Sequence, residues 1–248
     1  MIDNNRTVSM VFIGAAAIGV LIMCAGVALI IFFVSGSGSG PVASPTERAA
    51  NSTLEARANW PVSFQSEFDG SPEEDAMWAF GEFENRFGQS MAEPVDGVLR
   101  LSASATEAVI WWQEPDFTAG DSFVLEVTAD QVTGSANSAF GLMFWRADDA
   151  NQYVFLVSET GFAFCYSYIN ESWTELYRAD HFGLITTDPM RLTVSASPDQ
   201  ADLFVNGEYI TTITGNATGG DMVAVAANMD TPDSEAVFIF DAFVVYEP

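Results

Sequence analysis

The chain of 248 residues contains no lysine, one histidine (His181) and two cysteines (Cys24 and Cys165). Its eight arginines stand against 34 acidic residues, so the formal net charge is −26 and no basic surface can neutralise a nucleic-acid backbone. One histidine cannot supply the histidine clusters of most catalytic zinc sites. Two cysteines exclude a disulfide-stapled miniature domain and a cysteine-rich zinc module. Nucleic-acid binding and the usual zinc chemistries are therefore excluded.

An uncharged stretch of 27 residues runs from Val8 to Val34, after a short tail over residues 1–7. It is longer than the ~20 helical residues that span a bilayer, whereas the apolar region of a cleaved signal peptide has only about 7–15. A lipoprotein signal fits poorly, because Cys24 follows Met23 rather than a small residue. The stretch therefore predicts a single transmembrane helix that acts as an uncleaved signal anchor.

The orientation of this anchor is weakly encoded, since Arg6 precedes the span and the next arginines, Arg48 and Arg57, lie well beyond it. The absence of lysine, the few cysteines and the strand-rich remainder fit an exported domain. We therefore expect a single-pass protein of the cell membrane with its C-terminal domain on the extracytoplasmic side.

One face of the predicted helix carries small residues at helical spacing. Such a stripe lets helices approach closely in lipid and is a candidate contact with membrane-protein partners, although Gly and Ala are common in membrane helices in any case. The residues are Ala15, Gly19, Ile22 and Gly26.

A flexible joint and a short helix follow the span, over residues 35–60. SGSGSG at 35–40 is typical of a flexible linker. Ser44 and Glu47 flank Pro45-Thr46 in the pattern of a capping box, which predicts a helix to about Ala58. The remaining domain, residues 61–248, is long enough for one well-cored sandwich.

Alternating apolar and polar residues recur throughout this domain and predict ten or more β-strands with no helical pattern between them. Asn206-Gly207 predicts a tight hairpin turn, because both residues adopt positive φ at little cost. The pattern favours an all-β, antiparallel two-sheet jelly-roll sandwich. The runs cover residues 97–103, 108–113, 122–132, 140–147, 152–158, 161–169, 191–196, 201–213, 222–227 and 236–246.

Several short motifs occur in an order that resembles the concanavalin A-like lectin/glucanase superfamily, with greatest likeness to its laminin-G-like and 3-keto-disaccharide-hydrolase-type domains. The resemblance implies a jelly roll with a concave sheet, orientation towards sugars and in some members a bound calcium ion. The motifs are Phe68-Asp69, Trp78, Asp96-Gly97-Val98-Leu99, the stretch 141–161, Trp173, Leu203 to Gly207 and Phe240 to Val244.

Catalysis by the route of retaining glucanases is disfavoured. Those members of the superfamily carry carboxylates in an E-x-D-x-E run, because alternate strand residues share a face and the acid and nucleophile must lie about 5.5 Å apart. The nearest pair here is Glu126 with Asp130, which lacks the middle acid and is more typical of a solvated face. His181 alone supports no hydrolytic triad. The missing acid pattern counts against an enzyme but leaves the question open.

Aromatic residues are the best candidates for ligand binding, since sugar rings stack on flat aromatic faces. Phe162, Phe164, Tyr166 and Tyr168 alternate along one strand and predict a ladder on one sheet face, of which we expect the Phe members to belong to the core of the sandwich. The predicted ligand-binding residues are Trp112, Trp145, Tyr168, Trp173, Arg146 and Glu175.

Oxygen-rich turns leave calcium as a candidate metal, with Asp148, Asp149 and Asn151 as its predicted ligands, although no EF-hand spacing occurs. No other cofactor is indicated. Cys165 is expected to be a free, half-buried thiol on the opposite face from the ladder.

Together these features predict a membrane-anchored recognition module for a glycan or a surface partner. The alternatives are an accessory subunit of a membrane complex and, less favoured, a glycoside-cleaving enzyme.

Overall fold

The computed structural model describes residues 10–11, 43–181, 183–185 and 189–248. Within this described part of the chain, no helix is both long enough and apolar enough to cross a membrane. The predicted span over residues 8–34, with its small-residue stripe, lies outside the described residues except for Met10 and Val11. These two residues form a short β-strand.

The described residues form two helices and sixteen strands. The helices are α1 (Pro45–Arg57) and α2 (Pro72–Met77). The first eight strands are β1 (Met10–Val11), β2 (Val62–Ser66), β3 (Gly81–Asn85), β4 (Gly88–Val95), β5 (Val98–Ala105), β6 (Val109–Gln113), β7 (Phe123–Thr133) and β8 (Ala139–Asp148). The others are β9 (Asn151–Ser158), β10 (Phe162–Ile169), β11 (Ser172–Asp180), β12 (Met190–Ser197), β13 (Gln200–Val205), β14 (Glu208–Thr214), β15 (Met222–Met229) and β16 (Ser234–Tyr246).

The strands form two antiparallel sheets, which confirms the predicted all-β sandwich. The seven-stranded sheet has the order β1-β6-β15-β8-β9-β10-β11. The nine-stranded sheet has the order β14-β13-β12-β7-β16-β5-β4-β3, with β2 also paired to β16. The turn between β13 and β14 is Asn206-Gly207, with φ of 52° and 83°, as a primed hairpin turn requires.

Helix α1 begins with the predicted capping box. The Glu47 N–H donates to the Ser44 hydroxyl at 3.1 Å, and the Ser44 N–H donates to the Glu47 carboxylate at 3.0 Å. At the other end, the Arg57 guanidinium donates to the Ser195 hydroxyl at 2.9 Å and the Ala196 carbonyl at 2.6 Å. Burial lowers the pKa of Arg57. These contacts fix α1 to the outer face of the nine-stranded sheet.

Most large apolar side chains fill the space between the two sheets. In the central strands of the seven-stranded sheet, alternate residues point to this inner core, as Trp111, Leu142, Phe155 and Val225 do. The intervening residues form a second apolar cluster on the outer face, turned away from the nine-stranded sheet. We call this cluster the apolar floor; its residues are Ile110, Trp112, Ala139, Met143, Val154, Leu156, Ala224 and Ala226.

Strand β1 lies at one edge of the seven-stranded sheet. Met10 is directly opposite Ile110, and Val11 is directly opposite Val109, in antiparallel register. All five residues of β6 are buried, although the described part of β1 pairs with only two of them.

Candidate ligand-binding site

The alternation of β10 presents an aromatic row on the outer face of the seven-stranded sheet. Ala163 and Cys165 point inward and are completely buried. The four aromatic residues between and beyond them are half-buried and point outward: Phe162, Phe164, Tyr166 and Tyr168. The ladder predicted from the sequence therefore lies outside the core between the sheets.

The rings of this row are stacked along the strand. The Phe162 and Phe164 centroids lie 6.0 Å apart with an interplanar angle of 24°, and those of Phe164 and Tyr166 lie 6.3 Å apart at 16°. Trp173 on β11 meets Tyr166 edge-on and lies 4.6 Å from the Tyr168 ring. These contacts hold several flat rings at an apolar surface.

A groove with a volume of about 550 Å³ adjoins the aromatic row. We call it the ligand groove. It has an apolar and aromatic side formed by β9 and β10 and a polar side formed by loops and strand ends. The lining residues are Ala108, Asn137, Leu156, Ser158, Thr160, Phe162, Phe164, Tyr166, Arg178, Asn228 and Asp230. Such a combination suits a ligand with both flat apolar faces and hydroxyl groups.

A hydrogen-bonded trio stands at the rim of the ligand groove. The Arg178 guanidinium donates to the Glu175 carboxylate and to the Tyr166 hydroxyl, at 2.8 Å each, and the Tyr166 hydroxyl lies 3.3 Å from the Glu175 carboxylate. Burial raises the pKa of Tyr166 despite the nearby positive charge of Arg178. The trio fixes a charged, solvent-accessible edge beside the aromatic row.

Two polar groups lie on the opposite side of the groove. The side-chain carbonyl oxygen of Asn228 is buried and accepts no hydrogen bond from the residues that the structure describes, so it is an unsatisfied acceptor beside the groove. Burial also raises the pKa of the Asp230 carboxyl, although Thr231 donates a hydrogen bond to it. The groove therefore offers acceptors as well as the donors of Arg178.

The centre of the outer face carries no carboxylate among the residues that the structure describes. The strand register places Ala224, Met143 and Val154 in one row across the sheet, and Ala226 and Leu156 in the next. A glycosidase needs two carboxyl groups about 5–10 Å apart around the scissile bond. The described floor offers no such pair.

The predicted ligand residues are distributed over this face and the core. Tyr168 and Trp173 are half-buried on the outer face, and Glu175 is exposed at the groove rim. Trp112 also points to the outer face, but it is only 3% exposed and belongs to the apolar floor. Three of the predicted residues therefore lie beside the aromatic row, and Trp112 lies below the accessible surface.

Trp145 and Arg146 are buried and not accessible to a ligand. Trp145 has φ of 48° at a break in the β8–β9 register, and it is 1% exposed in the core between the sheets. Arg146 is also buried, with an ion pair of 2.7 Å to Glu114 and a second to Asp149. The register shift turns Trp145 into the core between the sheets and leaves Arg146 beside the Trp112 ring on the outer face, so both predicted ligand residues are inaccessible to a ligand.

The predicted calcium ligands form the turn between β8 and β9. Asp148 accepts hydrogen bonds from the Ala150 N–H at 2.7 Å and the Asn151 amide at 2.8 Å, and the hydrogen bonds lower its pKa. Asp149 pairs with Arg146. Among the described side chains, no group of three or more potential metal ligands was found. The oxygens predicted to bind calcium here hold the turn together.

The carboxylate pair, the histidine and the cysteine discussed in the sequence lie apart from the groove. Glu126 and Asp130 share the outer face of the nine-stranded sheet, where Glu126 accepts a hydrogen bond from Thr193. His181 lies 2.7 Å from the Tyr177 hydroxyl, and burial lowers its pKa. Cys165 is fully buried rather than half-buried, and burial raises the pKa of its thiol.

The charged and amide residues of the groove were not predicted from the sequence. Arg178, Asn228 and Asp230 belong to β11, to β15 and to the residue after β15, and they lie 9 to 61 residues after the end of β10 along the chain. Their meeting depends on the order of strands in the sheet, which no local pattern reveals. The one available signal was the placement of Arg178 on the strand after the aromatic run.

Comparison with known proteins adds information on the fold. Neither a family model nor a curated protein sequence matches the chain. Among solved structures, the β-glucanase of Bacillus licheniformis is 11% identical, with 76% of this chain and 99% of that chain covered and a TM-score of 0.56. The endo-β-1,3-glucanase of Pyrococcus furiosus is 12% identical, with 76% and 94% covered and a TM-score of 0.54.

A carbohydrate-binding module is similar to the chain at the same level. The carbohydrate-binding module CBM66 of Bacillus subtilis is 12% identical, with 75% of this chain and 97% of that chain covered and a TM-score of 0.50. These proteins have concanavalin A-like jelly-roll folds, so the resemblance seen in the sequence is confirmed at the level of the fold. At such identities the likeness carries no residue role.

Proposed function

We propose that the chain is a non-catalytic carbohydrate-recognition module that is anchored to the membrane by residues 8–34 and holds its sandwich outside the cytoplasm. The observation that carries the proposal is the ligand groove, where the stacked rings of Phe162, Phe164 and Tyr166 face polar groups of Asn228 and Asp230. Sugars have apolar ring faces and polar edges, so they match both sides of such a groove.

The chemistry of the groove favours a neutral glycan. Arg178 is the charged donor at the rim, but Glu175 already pairs with it. Asp230 adds a carboxyl acceptor, and the chain carries a formal charge of −26. A strongly anionic glycan would meet long-range repulsion from this charge. Binding and orientation would therefore depend on stacking against β10 and on hydroxyl contacts with Asn228 and Asp230.

Cleavage of the glycan is not part of the proposal. The apolar floor beside the groove has no carboxylate, and Asp230 carries the one carboxyl group among the described lining residues. The Glu175 carboxylate at the rim is engaged by Arg178 and Tyr166. Binding without hydrolysis also agrees with CBM66, a solved structure of the same fold whose name describes carbohydrate binding.

An accessory role in a larger membrane complex is the alternative. The two roles predict different particle sizes after extraction in mild detergent. A recognition module should run as a monomer, whereas an accessory subunit should run in a large particle of defined composition. Native sizing of the extracted protein separates the two.

Retention on immobilised polysaccharides tests the proposal directly. The probes are a β-1,3-glucan, a mixed-linkage β-glucan, a fructan and a mucin-type glycan. We expect the protein to be retained on at least one, and Phe164→Ala to weaken that binding by about tenfold, equivalent to ~1.4 kcal/mol. Leu176→Ala is the matched control, because Leu176 is 40% exposed on β11 but does not line the groove.

Two results would contradict the proposal. One is the absence of retention on every probe while the protein is folded by circular dichroism. The other is an equal loss of retention in Phe164→Ala and Leu176→Ala. Release of reducing sugar from a retained probe would instead show that the protein is an enzyme.

A further inference from the structure

We propose that Asn170 is the acceptor of an N-linked glycan whose first sugar packs on the rings of Tyr168 and Trp173. An acceptor asparagine must be followed, two residues later, by serine or threonine. Asn51, Asn170 and Asn216 meet this condition. The structure distinguishes these three acceptor triplets by exposure, backbone conformation and hydrogen bonds. The proposal rests on the extracytoplasmic location proposed above and not on the ligand groove.

Asn51 lies in the middle of helix α1, so its triplet is helical. Asn51 is half-buried, and the Thr53 hydroxyl that completes the triplet donates to the Ala49 carbonyl at 2.9 Å. A transferase has to bind the asparagine and the hydroxyl together along an accessible backbone, which a regular helix does not offer. Transfer to Asn51 therefore requires that α1 unfolds.

Asn216 is half-buried in the loop between β14 and β15, and its side chain holds that loop together. The Asn216 side-chain carbonyl accepts hydrogen bonds from the Thr218 hydroxyl and the Gly219 N–H, at 2.9 Å each. The Thr218 hydroxyl also bonds the Trp145 carbonyl and accepts from the Gly220 N–H at 3.2 Å. The fold therefore engages both the amide and the hydroxyl of this triplet.

Asn170 is exposed at the tip of the hairpin of β10 and β11. Ile169 and Ser172 are directly opposite each other, so Asn170 and Glu171 form a two-residue turn, with φ of 50° and 62°. The Asn170 backbone N–H donates to the Asn151 side chain at 3.2 Å. The Asn170 amide and the Ser172 hydroxyl make no hydrogen bond with the described residues. This triplet is therefore accessible without unfolding.

The rings of Tyr168 and Trp173 flank this turn on the outer face of the sheet. The two residues are directly opposite on β10 and β11, and their centroids lie 4.6 Å apart. Both are half-buried, and neither lines the ligand groove. Asn170 follows Tyr168 at a spacing of two residues, about 7 Å, which keeps strand side chains on one face. A sugar on Asn170 would therefore lie beside these rings, and its apolar face can pack on them.

The transfer is a substitution at the anomeric carbon of the donor, a polyprenyl-diphosphate-linked oligosaccharide. The amide nitrogen of Asn170 forms a bond to this carbon. The bond from the carbon to the diphosphate oxygen breaks, and the polyprenyl diphosphate leaves with the electron pair. The amide nitrogen gives up one of its two protons to a base of the transferase. No oxidant or reductant takes part.

Transfer to the folded full chain in mild detergent tests the acceptor. The reagents are a purified single-subunit oligosaccharyltransferase and its polyprenyl-diphosphate-linked donor. Mass spectrometry compares transfer in the folded chain with transfer to the isolated tryptic peptides. We expect folding to slow transfer to Asn51 and Asn216 by at least about tenfold, and transfer to Asn170 by less than about twofold. Because the chain has no lysine, trypsin cuts after arginine and separates the three sites into peptides 49–57, 147–178 and 192–248.

Two variants control this measurement. Ser172→Ala removes the hydroxyl of the triplet and should abolish transfer to Asn170. Glu171→Gln changes the neighbouring turn residue but leaves the triplet intact, so transfer should continue. Equal slowing of all three sites by the fold would contradict the accessibility of Asn170. Transfer that survives Ser172→Ala would mean that the triplet is not what the transferase recognises.

The packing of the sugar has a measurement of its own. Glycosylation should raise the melting temperature by about 2–4 °C, the shift expected for one additional ring contact. Trp173→Ala should remove this rise, or Tyr168→Ala if that variant does not fold, whereas Leu176→Ala, exposed on the same strand, should retain it. No rise in the native chain, or equal rises in all variants, would contradict the packing. Polysaccharide retention enters neither measurement, so failure here leaves the proposed function of the groove intact.

Discussion

The guanidinium carbon of Arg178 lies 4.6 Å from the centroid of the Phe164 ring. The two residues are directly opposite each other on β10 and β11, so the sheet itself fixes the contact. The positive charge lies against the electron-rich face of the ring. One edge of the aromatic row is thereby held in place while the ion pair of Arg178 with Glu175 stays accessible to solvent.

This contact leads to a prediction for Arg178→Gln. The variant loses the charge and the ion pair to Glu175, both at an exposed position, so the free energy of unfolding should fall by less than about 1 kcal/mol. Retention on the bound polysaccharide should weaken by about tenfold, because the Tyr166 and Phe164 rings lose their fixed arrangement. Urea titration and affinity electrophoresis measure the two effects. A large loss of stability with unchanged retention would contradict the assignment of the groove.

Trp145 should behave as a core residue. Its ring is buried against Phe144 and Tyr153, with centroids 5.2 and 5.3 Å away. Trp145→Ala should lower the free energy of unfolding by about 3–5 kcal/mol, since it leaves a cavity between the sheets. Tyr168→Ala, on the half-exposed outer row, is the comparison and should cost clearly less in the same urea titration. Equal costs would mean that the outer row is packed as tightly as the core.

Stability should respond to salt. Residues after position 40 include 33 carboxylates and seven arginines, so like charges repel one another at neutral pH. Because salt screens exposed charges over about 8 Å at physiological ionic strength, moderate sodium chloride should raise the melting temperature. Differential scanning fluorimetry between low and moderate salt checks this. A flat or falling melting temperature would show that the charges are already compensated.

Asp148 should contribute to stability above acidic pH. Hydrogen bonds from Ala150 and Asn151 lower the pKa of its carboxyl in the folded protein. The contribution is therefore complete above the unfolded-state pKa of about 3.9 and is lost as pH falls through the lower folded-state pKa. In Asp148→Asn, the urea midpoint should fall less steeply with acidification below about pH 4. An unchanged slope would contradict this role.

Asp230 should change the pH dependence of stability in the direction opposite to Asp148, because burial raises the pKa of its carboxyl. Ionisation in the fold is disfavoured, so stability falls as pH rises from the unfolded-state pKa towards the folded-state value. Asp230→Asn should remove this loss and leave the protein slightly more stable at neutral pH. The urea midpoint of Asp230→Asn is measured against pH as for Asp148→Asn. If both substitutions changed the pH dependence of stability in the same direction, the opposite pKa shifts of the two carboxyl groups would be contradicted.

Calcium is tested at the turn between β8 and β9. Asp148 is engaged by Ala150 and Asn151, and Asp149 by Arg146. We therefore expect calcium and magnesium at equal, low concentration to give the same melting temperature. A rise specific to calcium that disappears in Asp149→Asn would establish the calcium site predicted from the sequence.

The strands predicted from alternation agree with the structure where one side of the strand is apolar throughout. Strands β7, β10 and β16 fall within two residues of the predicted bounds. Strands β3 and β4 were not predicted, because Phe83 is the one large apolar residue of β3 and Pro94 interrupts β4. Strand β4 pairs with β5 and β3 pairs with β4, so their strand conformation depends on tertiary contacts.

The candidate site was only partly predictable for a related reason. Alternation shows that Phe164 and Tyr166 share a face but does not say whether that face meets the other sheet or solvent. Trp145 was misplaced because a positive φ breaks the alternation after Phe144. Arg178 and Asp230 reach the groove through the strand order β15-β8-β9-β10-β11. Sheet order and bulges depend on the whole chain, so the sequence pattern could not place these residues.

The attachment of α1 determines how the sandwich would carry a mechanical load. Arg57 fixes α1 to Ser195 and Ala196 on the nine-stranded sheet, whereas the ligand groove lies on the outer face of the other sheet, with the two sheets about 10 Å apart. The α1 attachment and the groove therefore lie on opposite faces of the sandwich. Tension on a captured polymer would cross both sheets and reach the Arg57 contacts, so these would yield before the strand ladders.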